Sequence, residues 1–169
     1  MSSARALAQF NALPQLDAER ELQACCAAPS WAHGVAASRP YADLDGLLRA
    51  SDDALDRLAW SEIEAALSAH PRIGQRTAGE EPGAVWSRRE QSGVDPTDTE
   101  VAKALRAANE AYEQRFGHVF LIFATGKSAG EMLSAAKDRL GHDETTEHQV
   151  IRGELRKITR LRLERLLEE

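Results

Sequence analysis

The run VFLIF, residues 119–123, restricts the fold more than any other feature of the sequence. It is the only segment with strand-like composition, and one short apolar run cannot form a sheet by itself. Elsewhere, apolar residues recur three and four positions apart, which is the spacing of one helix face. We therefore predict an all-α fold over residues 1–169: a single-domain helical bundle with one long polar loop, in which VFLIF is a short buried extended segment.

Helical periodicity and end signals define six segments. The predicted helices span residues 16–26, 51–58, 61–70, 95–117, 128–141 and about 144–167. Serine and glutamate three positions apart predict capping boxes at Ser61–Glu64 and Ser128–Glu131, and Gly117 is expected to close the fourth helix. Residues 71–85 contain three glycines and two prolines and predict the polar loop, whose length is often a sign of function in compact domains.

Composition argues against several classes of partner. The formal net charge is −6, whereas phosphate contacts need a concentrated basic face, so we expect no nucleic-acid partner. No apolar stretch has the length of a signal peptide or a membrane span, and we expect a cytoplasmic protein with no membrane partner. Cys25 and Cys26 are expected to be reduced, with at least one in the core. The histidines lack metal-ligand spacing, which predicts no metal site.

His70 stands where an apolar helix face ends. It follows Ile63 by seven positions and Leu67 by three, so it continues that face. Pro71 disfavours helical geometry at the residue before it, which predicts that His70 lies at or just past the helix C-terminus. The helix dipole favours the imidazolium form there. His70 then either caps the last carbonyl groups or acts as a proton donor in a site.

Glu90 also has two interpretations. Its spacing from Ser87 fits a capping box, S-x-x-E. Gly93 follows so soon, however, that the capped helix would be hardly two turns long. In the other interpretation Glu90 is a carboxylate within reach of His70, where it would orient the ring and stabilise its charged form.

Arg162 interrupts an apolar stripe. At the helical repeat of about 100° per residue, it falls in the middle of the stripe formed by Ile151, Leu155 and Ile158. An arginine in that position must extend its head group to solvent, pair with an internal carboxylate, or bind an anion. The sequence alone leaves these three roles open.

Several segments together, in this order, resemble the OHCU (2-oxo-4-hydroxy-4-carboxy-5-ureidoimidazoline) decarboxylases. The resemblance covers nearly the whole chain, and the combination of HPxIG, SxxEQ and FGxxF…GKS is specific. One departure is His118-Val119, where family members often have an aromatic residue and a proline, a change that could alter the pocket wall. The segments are CCAAPSWAHGVAASRPY (25–41), HPRIG (70–74), WSRREQSGV (86–94), YEQRFGHVFLIFATGKSAGEML (112–133) and ELRKITRLRL (154–163).

The resemblance implies a fold, a reaction and a set of site residues. The family is all-helical and typically dimeric, needs no cofactor, and converts OHCU to (S)-allantoin and carbon dioxide in urate breakdown. By motif, His70 matches the catalytic histidine, Glu90 the key carboxylate and Arg162 a ring-binding arginine. The remaining substrate-contacting positions that it implies are Pro71, Ser87, Arg88, Arg89 and Gln91, together with the main chain of Phe120, Leu121, Ile122, Phe123 and Ala124.

Two other functions remain open from the sequence. A non-catalytic helical module would use the C-terminal helix as an interaction surface, and it predicts an exposed Arg162 and a disordered 71–85 loop. A hydrolase of a ureido compound would use His70 and Glu90 to activate water. Release of carbon dioxide rather than ammonia or urea separates the decarboxylase from the hydrolase.

Overall fold

The computed structural model describes residues 2–73, 82–92 and 99–168. Every regular element in this part of the chain is an α-helix, so the all-α prediction is confirmed. Of the helices in these ranges, none has a stretch long and apolar enough to cross a bilayer. The helices are α1 (Ser3–Ala12), α2 (Gln15–Cys25), α3 (Pro29–Ala37), α4 (Leu44–Asp56), α5 (Trp60–Leu67), α6 (Pro82–Glu90), α7 (Thr99–Phe116), α8 (Ala129–Arg139) and α9 (Glu144–Glu168).

The chain divides into two compact units. The first comprises Met1–Ala66 and Arg156–Glu169, and the second is Leu67–Leu155. In the first unit, α2 packs against α3 and α3 against α4. Trp31 is fully buried there, and its Nε1–H donates to the carbonyl of Ser51 at 3.2 Å. The assignment of residues 1–169 to one domain stays a prediction.

The second unit is built around α7 and α8, which pack together. The apolar face predicted for α7 is confirmed, since Leu105, Ala108 and Tyr112 are buried and Val101 is half-buried. Residues from the non-helical segment after α7 complete this core. Its buried members are Ile73, Leu105, Ala108, Tyr112, Phe120, Ile122, Ala124, Met132 and Ala136.

The predicted helix ends are only partly correct. The capping box at Ser128–Glu131 is confirmed, since both reciprocal hydrogen bonds form at the start of α8. The capping box at Ser61–Glu64 is wrong, because α5 begins at Trp60 and Ser61 lies inside its first turn. Glu62 has the capping role there, and its Oε2 accepts the main-chain N–H of Ala59 at 2.9 Å.

Helices α1, α3 and α6 have no counterpart among the predicted helices. Helix α4 is longer than the predicted helix, which begins at residue 51. α4 starts at Leu44 because the side chain of Asp43 caps it, accepting the N–H of Gly46 at 2.7 Å. The prediction that no helix forms within 71–85 is wrong for its last part, because α6 begins at Pro82. Proline suits a first helical position, where its missing N–H costs no hydrogen bond. Residues 74–81 of the predicted loop lie outside the described residues.

The VFLIF segment is non-helical, as predicted, and its three central residues are buried, whereas Val119 and Phe123 are half-buried. Residues 119–124 form neither helix nor strand. Two glycines with left-handed main-chain angles bracket the segment, Gly117 at φ 80° and Gly126 at φ 78°, a conformation that disfavours other residues. Gly117 also closes α7, and its N–H donates to the carbonyl of Glu113 at 2.8 Å. The chain therefore leaves α7 and re-enters α8 through two sharp turns.

Candidate active site

His70 lies just beyond the C-terminus of α5. The helix ends at Leu67, and the main-chain N–H of His70 donates to the carbonyl of Leu67 at 3.0 Å. The predicted position past the helix end is thereby confirmed, although the helix ends three residues earlier than expected. His70 and Pro71 are both half-buried, which leaves part of the imidazole ring accessible to a small molecule.

Glu90 is not part of a capping box. Ser87 lies inside α6, and its carbonyl accepts the N–H of Gln91 at 3.1 Å, so the capping interpretation is wrong. Glu90 is instead the last residue of α6 and only 7% exposed. Ser87 and Glu90 are three positions apart and share the buried face of α6, whereas Arg88 and Arg89 are exposed and Gln91 is half-buried. A buried carboxylate of this kind is costly unless the protein uses it for pairing or chemistry.

The segment Phe120–Ala124 is fixed through main-chain atoms of its odd-numbered residues. The carbonyl of Leu121 accepts from Arg139 Nη1 at 2.7 Å. The N–H of Phe123 donates to Glu154 Oε1 at 3.2 Å, and the carbonyl of Phe123 accepts from Lys127 Nζ at 2.7 Å. The segment is therefore held by side chains from α8, α9 and the turn that precedes α8.

Ile122 lies between these anchored residues and differs from them. In the part of the chain that the structure describes, no group hydrogen-bonds its main-chain N–H or C=O, although the residue is only 5% exposed. Buried main-chain groups are almost always paired, so each exception needs an explanation. The N–H and C=O of Ile122 lie between two anchored residues, Leu121 and Phe123. They could hydrogen-bond a small planar ligand that has both an acceptor and a donor.

A buried polar cluster behind this segment was missed by sequence reasoning. Arg139 is 6% exposed and Glu147 is fully buried. Nε and Nη2 of Arg139 donate to Glu147 Oε1 at 2.8 and 2.5 Å. The same oxygen accepts the hydroxyl of Tyr112 at 2.5 Å, and Nδ1 of His142 lies 3.0 Å from Glu147 Oε2. We call Arg139, Glu147, Tyr112 and His142 the Arg139 cluster.

The pKa values of Glu147 and Tyr112 indicate which of these two groups in the Arg139 cluster is charged. Burial acts to raise the pKa of Glu147, but hydrogen bonds from Arg139 and Tyr112 together with the charge of Arg139 outweigh it, and the pKa lies below 4.5. Burial, followed by the hydrogen bond to Glu147, raises the pKa of Tyr112 well above its usual value of 10. Glu147 is therefore an ionised acceptor and Tyr112 a neutral donor at neutral pH.

The signal that identified Arg162 also exists for Arg139. Arg139 follows Met132 by seven positions and Ala136 by three, so it continues a buried apolar face of α8. Glu147 similarly precedes Ile151 by four positions on the buried face of α9. A charged residue at each of two apolar positions on successive helices predicts a buried ion pair.

Arg162 is buried in the first unit. Its exposed fraction is 5%, so the interpretation in which its head group extends to solvent is wrong. This burial also contradicts the non-catalytic module, which requires an exposed Arg162. Nη1 of Arg162 lies 3.5 Å from the carbonyl oxygen of Ala24. Cys26 lies close enough for the charge of Arg162 to act on its thiol, and both cysteines are free and buried, as predicted.

The predicted site residues fall in both units. His70, Pro71, the Ser87–Gln91 segment and Phe120–Ala124 belong to the second unit, whereas Arg162 belongs to the first. Their convergence on one pocket stays a prediction. Within the described ranges, no three His, Cys, Asp or Glu side chains form a group that could hold a metal ion.

Comparison with known proteins places this geometry in a family. A sequence profile described as OHCU decarboxylase matches residues 11–164, a range that contains every candidate site residue. The Uric acid degradation bifunctional protein TTL of Arabidopsis thaliana is 30% identical over 155 residues, covering 89% of this chain. This chain spans 48% of that relative's length.

Relatives of similar length to this chain also match. An OHCU decarboxylase of Halalkalicoccus jeotgali is 28% identical over 130 residues, which cover 76% of this chain and 72% of that one. A crystal structure of OHCU decarboxylase in the presence of (S)-allantoin superposes with a TM-score of 0.76 at 25% identity, covering 88% of this chain and 98% of that one. On this evidence the chain belongs to the OHCU decarboxylase family.

Proposed function

We propose that this chain decarboxylates OHCU to (S)-allantoin and carbon dioxide, the reaction of its family, with His70, Glu90 and Arg162 as the residues that act on the substrate. The observation that carries the proposal is the main chain of Ile122, a buried donor and acceptor without a protein partner in the described ranges. The ring of OHCU presents N–H and C=O groups in one plane, which such a pair can hydrogen-bond.

The substrate supplies its own electron sink. The ring carbon that carries the carboxylate also carries a hydroxyl group and is bonded to an imine carbon. When the bond to the carboxylate breaks, its electron pair forms a double bond to the neighbouring carbon, and the imine π pair moves onto the ring nitrogen, which takes a proton. The enol then loses its hydroxyl proton and gains a proton on carbon. No cofactor is needed, and we propose that none is used.

His70 and Glu90 handle protons in this scheme. His70 contacts the hydroxyl group of the substrate, from which it accepts a proton as the enol becomes a carbonyl. Glu90, buried at the end of α6, accepts N–H groups of the ring or ureido arm and orients His70. Delivery of the proton to one face of the enol gives one enantiomer of allantoin.

Arg162 and the main chain of Phe120–Ala124 fix the orientation of the substrate. The guanidinium of Arg162 donates to a ring oxygen or nitrogen, while the main chain of Ile122 sets the ring plane. Orientation matters because the breaking bond must lie perpendicular to the ring for its electrons to enter the imine. The apolar side chains of Phe120 and Ile122 would destabilise the carboxylate before it leaves.

The decisive experiment adds the protein to freshly generated OHCU. We expect carbon dioxide release and a circular dichroism signal of (S)-allantoin. His70→Asn should lower turnover by about 10²–10⁴-fold, the usual contribution of general acid–base catalysis, with an unchanged protein circular dichroism spectrum. Release of ammonia or urea instead of carbon dioxide would establish the ureido hydrolase, and a racemic product at the uncatalysed rate would exclude the enzyme altogether.

Three further properties are part of the proposal. We propose a single-domain enzyme, since the family match runs through both compact units. We propose a homodimer in the cytoplasm, in keeping with the family and with free, buried cysteines. Light scattering coupled to size exclusion tests the dimer, and a main peak at the monomer mass of 18.5 kDa would contradict it.

A further inference from the structure

The main chain of the Phe120–Ala124 segment is held by side chains that do not themselves belong to the proposed site. Arg139 holds the carbonyl of Leu121, and Glu154 holds the N–H of Phe123. These two anchored residues flank Ile122 on either side. Each peptide unit is planar, so the carbonyl of Leu121 and the N–H of Ile122 lie in one plane, and the carbonyl of Ile122 and the N–H of Phe123 lie in the next. Fixing the carbonyl of Leu121 and the N–H of Phe123 therefore also fixes the orientation of the N–H and C=O of Ile122.

Arg139 is itself held in a single position. Two of its nitrogens donate to one oxygen of Glu147, and the third donates to Leu121. Its guanidinium also lies over the ring of Phe120, with Cζ 4.5 Å from the ring centroid. Each of the three nitrogens therefore makes a hydrogen bond, and the planar guanidinium cannot rotate without breaking one of them. Arg139 therefore links the carbonyl of Leu121 to Glu147 on α9.

We propose that Arg139, held by Glu147, is a positioning residue for the decarboxylation, which sets the main chain of Ile122 in the orientation that receives the substrate ring. Glu154 has the same role through Phe123, the residue that follows Ile122. This inference rests on the proposed function. Neither residue contacts the substrate, so their effect on the reaction passes through the main chain of the segment.

Arg139→Lys is the direct test. Lysine keeps the positive charge beside Glu147 but cannot bridge Glu147 and the Leu121 carbonyl with a rigid fork. We expect kcat/KM on OHCU to fall by about 10²-fold, the cost of a misplaced substrate, with a higher KM. The pH profile of kcat/KM should keep its shape, because His70 and Glu90 are unchanged. Amide exchange at Phe123, whose N–H is hydrogen-bonded to Glu154, should accelerate.

Arg160→Lys is the matched control. Arg160 also forms a forked ion pair, with Nε and Nη2 donating to Asp52 at 3.0 and 2.6 Å, but Asp52 lies on α4 in the first unit. The same substitution there should leave kcat, KM and amide exchange at Phe123 unchanged. A kcat/KM within twofold of wild type in Arg139→Lys would overturn the inference. So would a fall in kcat alone that matches the loss of folded protein, since that is the signature of a purely structural arginine.

Glu154 gives a second test that does not depend on how well Arg139→Lys folds. Glu154→Gln keeps a side-chain oxygen for the N–H of Phe123, whereas Glu154→Ala removes it. We expect near-wild-type kcat/KM for the glutamine variant and about a 10-fold loss for the alanine variant, corresponding to one lost hydrogen bond. Equal kcat/KM in both variants would overturn the role of Glu154.

The failure of the proposed function is separable from the failure of this inference. Wild-type protein that releases no carbon dioxide from OHCU would reject the function, whatever the variants do. Active wild type with fully active Arg139→Lys and Glu154→Ala would reject only the positioning role. Amide exchange at Phe123, whose N–H is hydrogen-bonded to Glu154, needs no substrate, so unchanged exchange there in Arg139→Lys rejects the mechanical link in either case.

Discussion

Arg139 and Arg162 are two buried arginines whose surroundings differ. Both interrupt an apolar helix stripe, and their exposed fractions are nearly equal at 6% and 5%. Arg139 donates two hydrogen bonds to the buried carboxylate of Glu147 and one to the carbonyl of Leu121. Nη1 of Arg162 lies 3.5 Å from a neutral carbonyl, that of Ala24, which is longer than an ordinary N–H···O hydrogen bond.

The comparison shows that burial alone does not identify a functional arginine. A buried guanidinium that pairs with a buried carboxylate has a structural role, because removing either charge leaves the other unpaired in the interior. Arg162 also has polar interactions besides that with the carbonyl of Ala24, and its proposed role is to bind the substrate ring. A structural arginine and a substrate-binding arginine are expected to respond differently to the same substitution to leucine.

Arg139→Leu should destabilise the protein most. The substitution strands the ionised Glu147 in the interior, which costs about 3–5 kcal/mol. For a chain of this size that corresponds to a fall in the melting temperature of roughly 6–20 °C, measured by thermal unfolding. A variant with a wild-type melting temperature would show that Glu147 is stabilised without Arg139, and the contrast with Arg162 would fail.

The double variant Arg139→Leu with Glu147→Leu is the internal control. Replacing both charges by apolar groups leaves none stranded, so part of the lost stability should return. The recovery will be incomplete, because Tyr112 and His142 lose the acceptor that Glu147 provides. Free energies of unfolding from urea titration give the coupling between the two residues directly.

Arg162→Leu should act on the reaction and not on stability. Leucine suits the apolar stripe, and the melting temperature should be unchanged or higher. Loss of a hydrogen bond from a charged donor to the substrate costs about 1.5–3 kcal/mol, so kcat/KM on OHCU should fall by about 10- to 150-fold. A lowered melting temperature with activity retained at low temperature would make Arg162 structural, like Arg139.

The sequence was informative where a single residue departs from a strong local pattern. His70 before Pro71, Glu90 with its capping-box spacing and Arg162 in an apolar stripe were all found in this way. The structure confirms that His70 lies past α5 and that Glu90 and Arg162 are buried. The sequence correctly predicted the start of α8, where Ser128 and Glu131 form a reciprocal capping box.

The sequence was less informative where partners come from distant positions. Arg139 and Glu147 lie only eight positions apart, but they are on different helices, and their pairing with Tyr112 depends on how α7, α8 and α9 pack. The sequence could not predict that the main-chain N–H and C=O of Ile122 lack a protein partner in the described ranges, because every residue except proline carries the same two groups. Helix α6 was not predicted, because the glycines and prolines of residues 71–85 indicated a loop, whereas the helix begins at Pro82.

Acid should weaken the Arg139 cluster. Glu147 has a pKa below its ordinary value of 4.5 in the folded protein, so its contribution to stability is complete above pH 4.5. This contribution is lost as the pH falls through the folded pKa, because the unfolded state then binds the extra proton. Glu147→Gln should remove this part of the pH dependence, measured as urea midpoints between pH 7 and 3. Arg162→Leu should keep the wild-type dependence, and parallel curves for wild type and Glu147→Gln would contradict the assignment.

Cys26 provides the last test, with the smallest expected effect. Burial raises the pKa of its thiol to about 12, although the nearby groups of Thr159 and Ala28 and the charge of Arg162 act in the opposite direction. The thiol should therefore stay protonated and inert at pH 8. In a Cys25→Ala background, Cys26 should be alkylated by iodoacetamide only in denaturant. Adding Arg162→Leu removes a charge that favours the thiolate, so native-state alkylation should stay equally slow. Rapid alkylation that disappears in the leucine variant would instead make Arg162 the partner of a reactive thiolate, and its proposed role in binding the substrate ring would then be wrong.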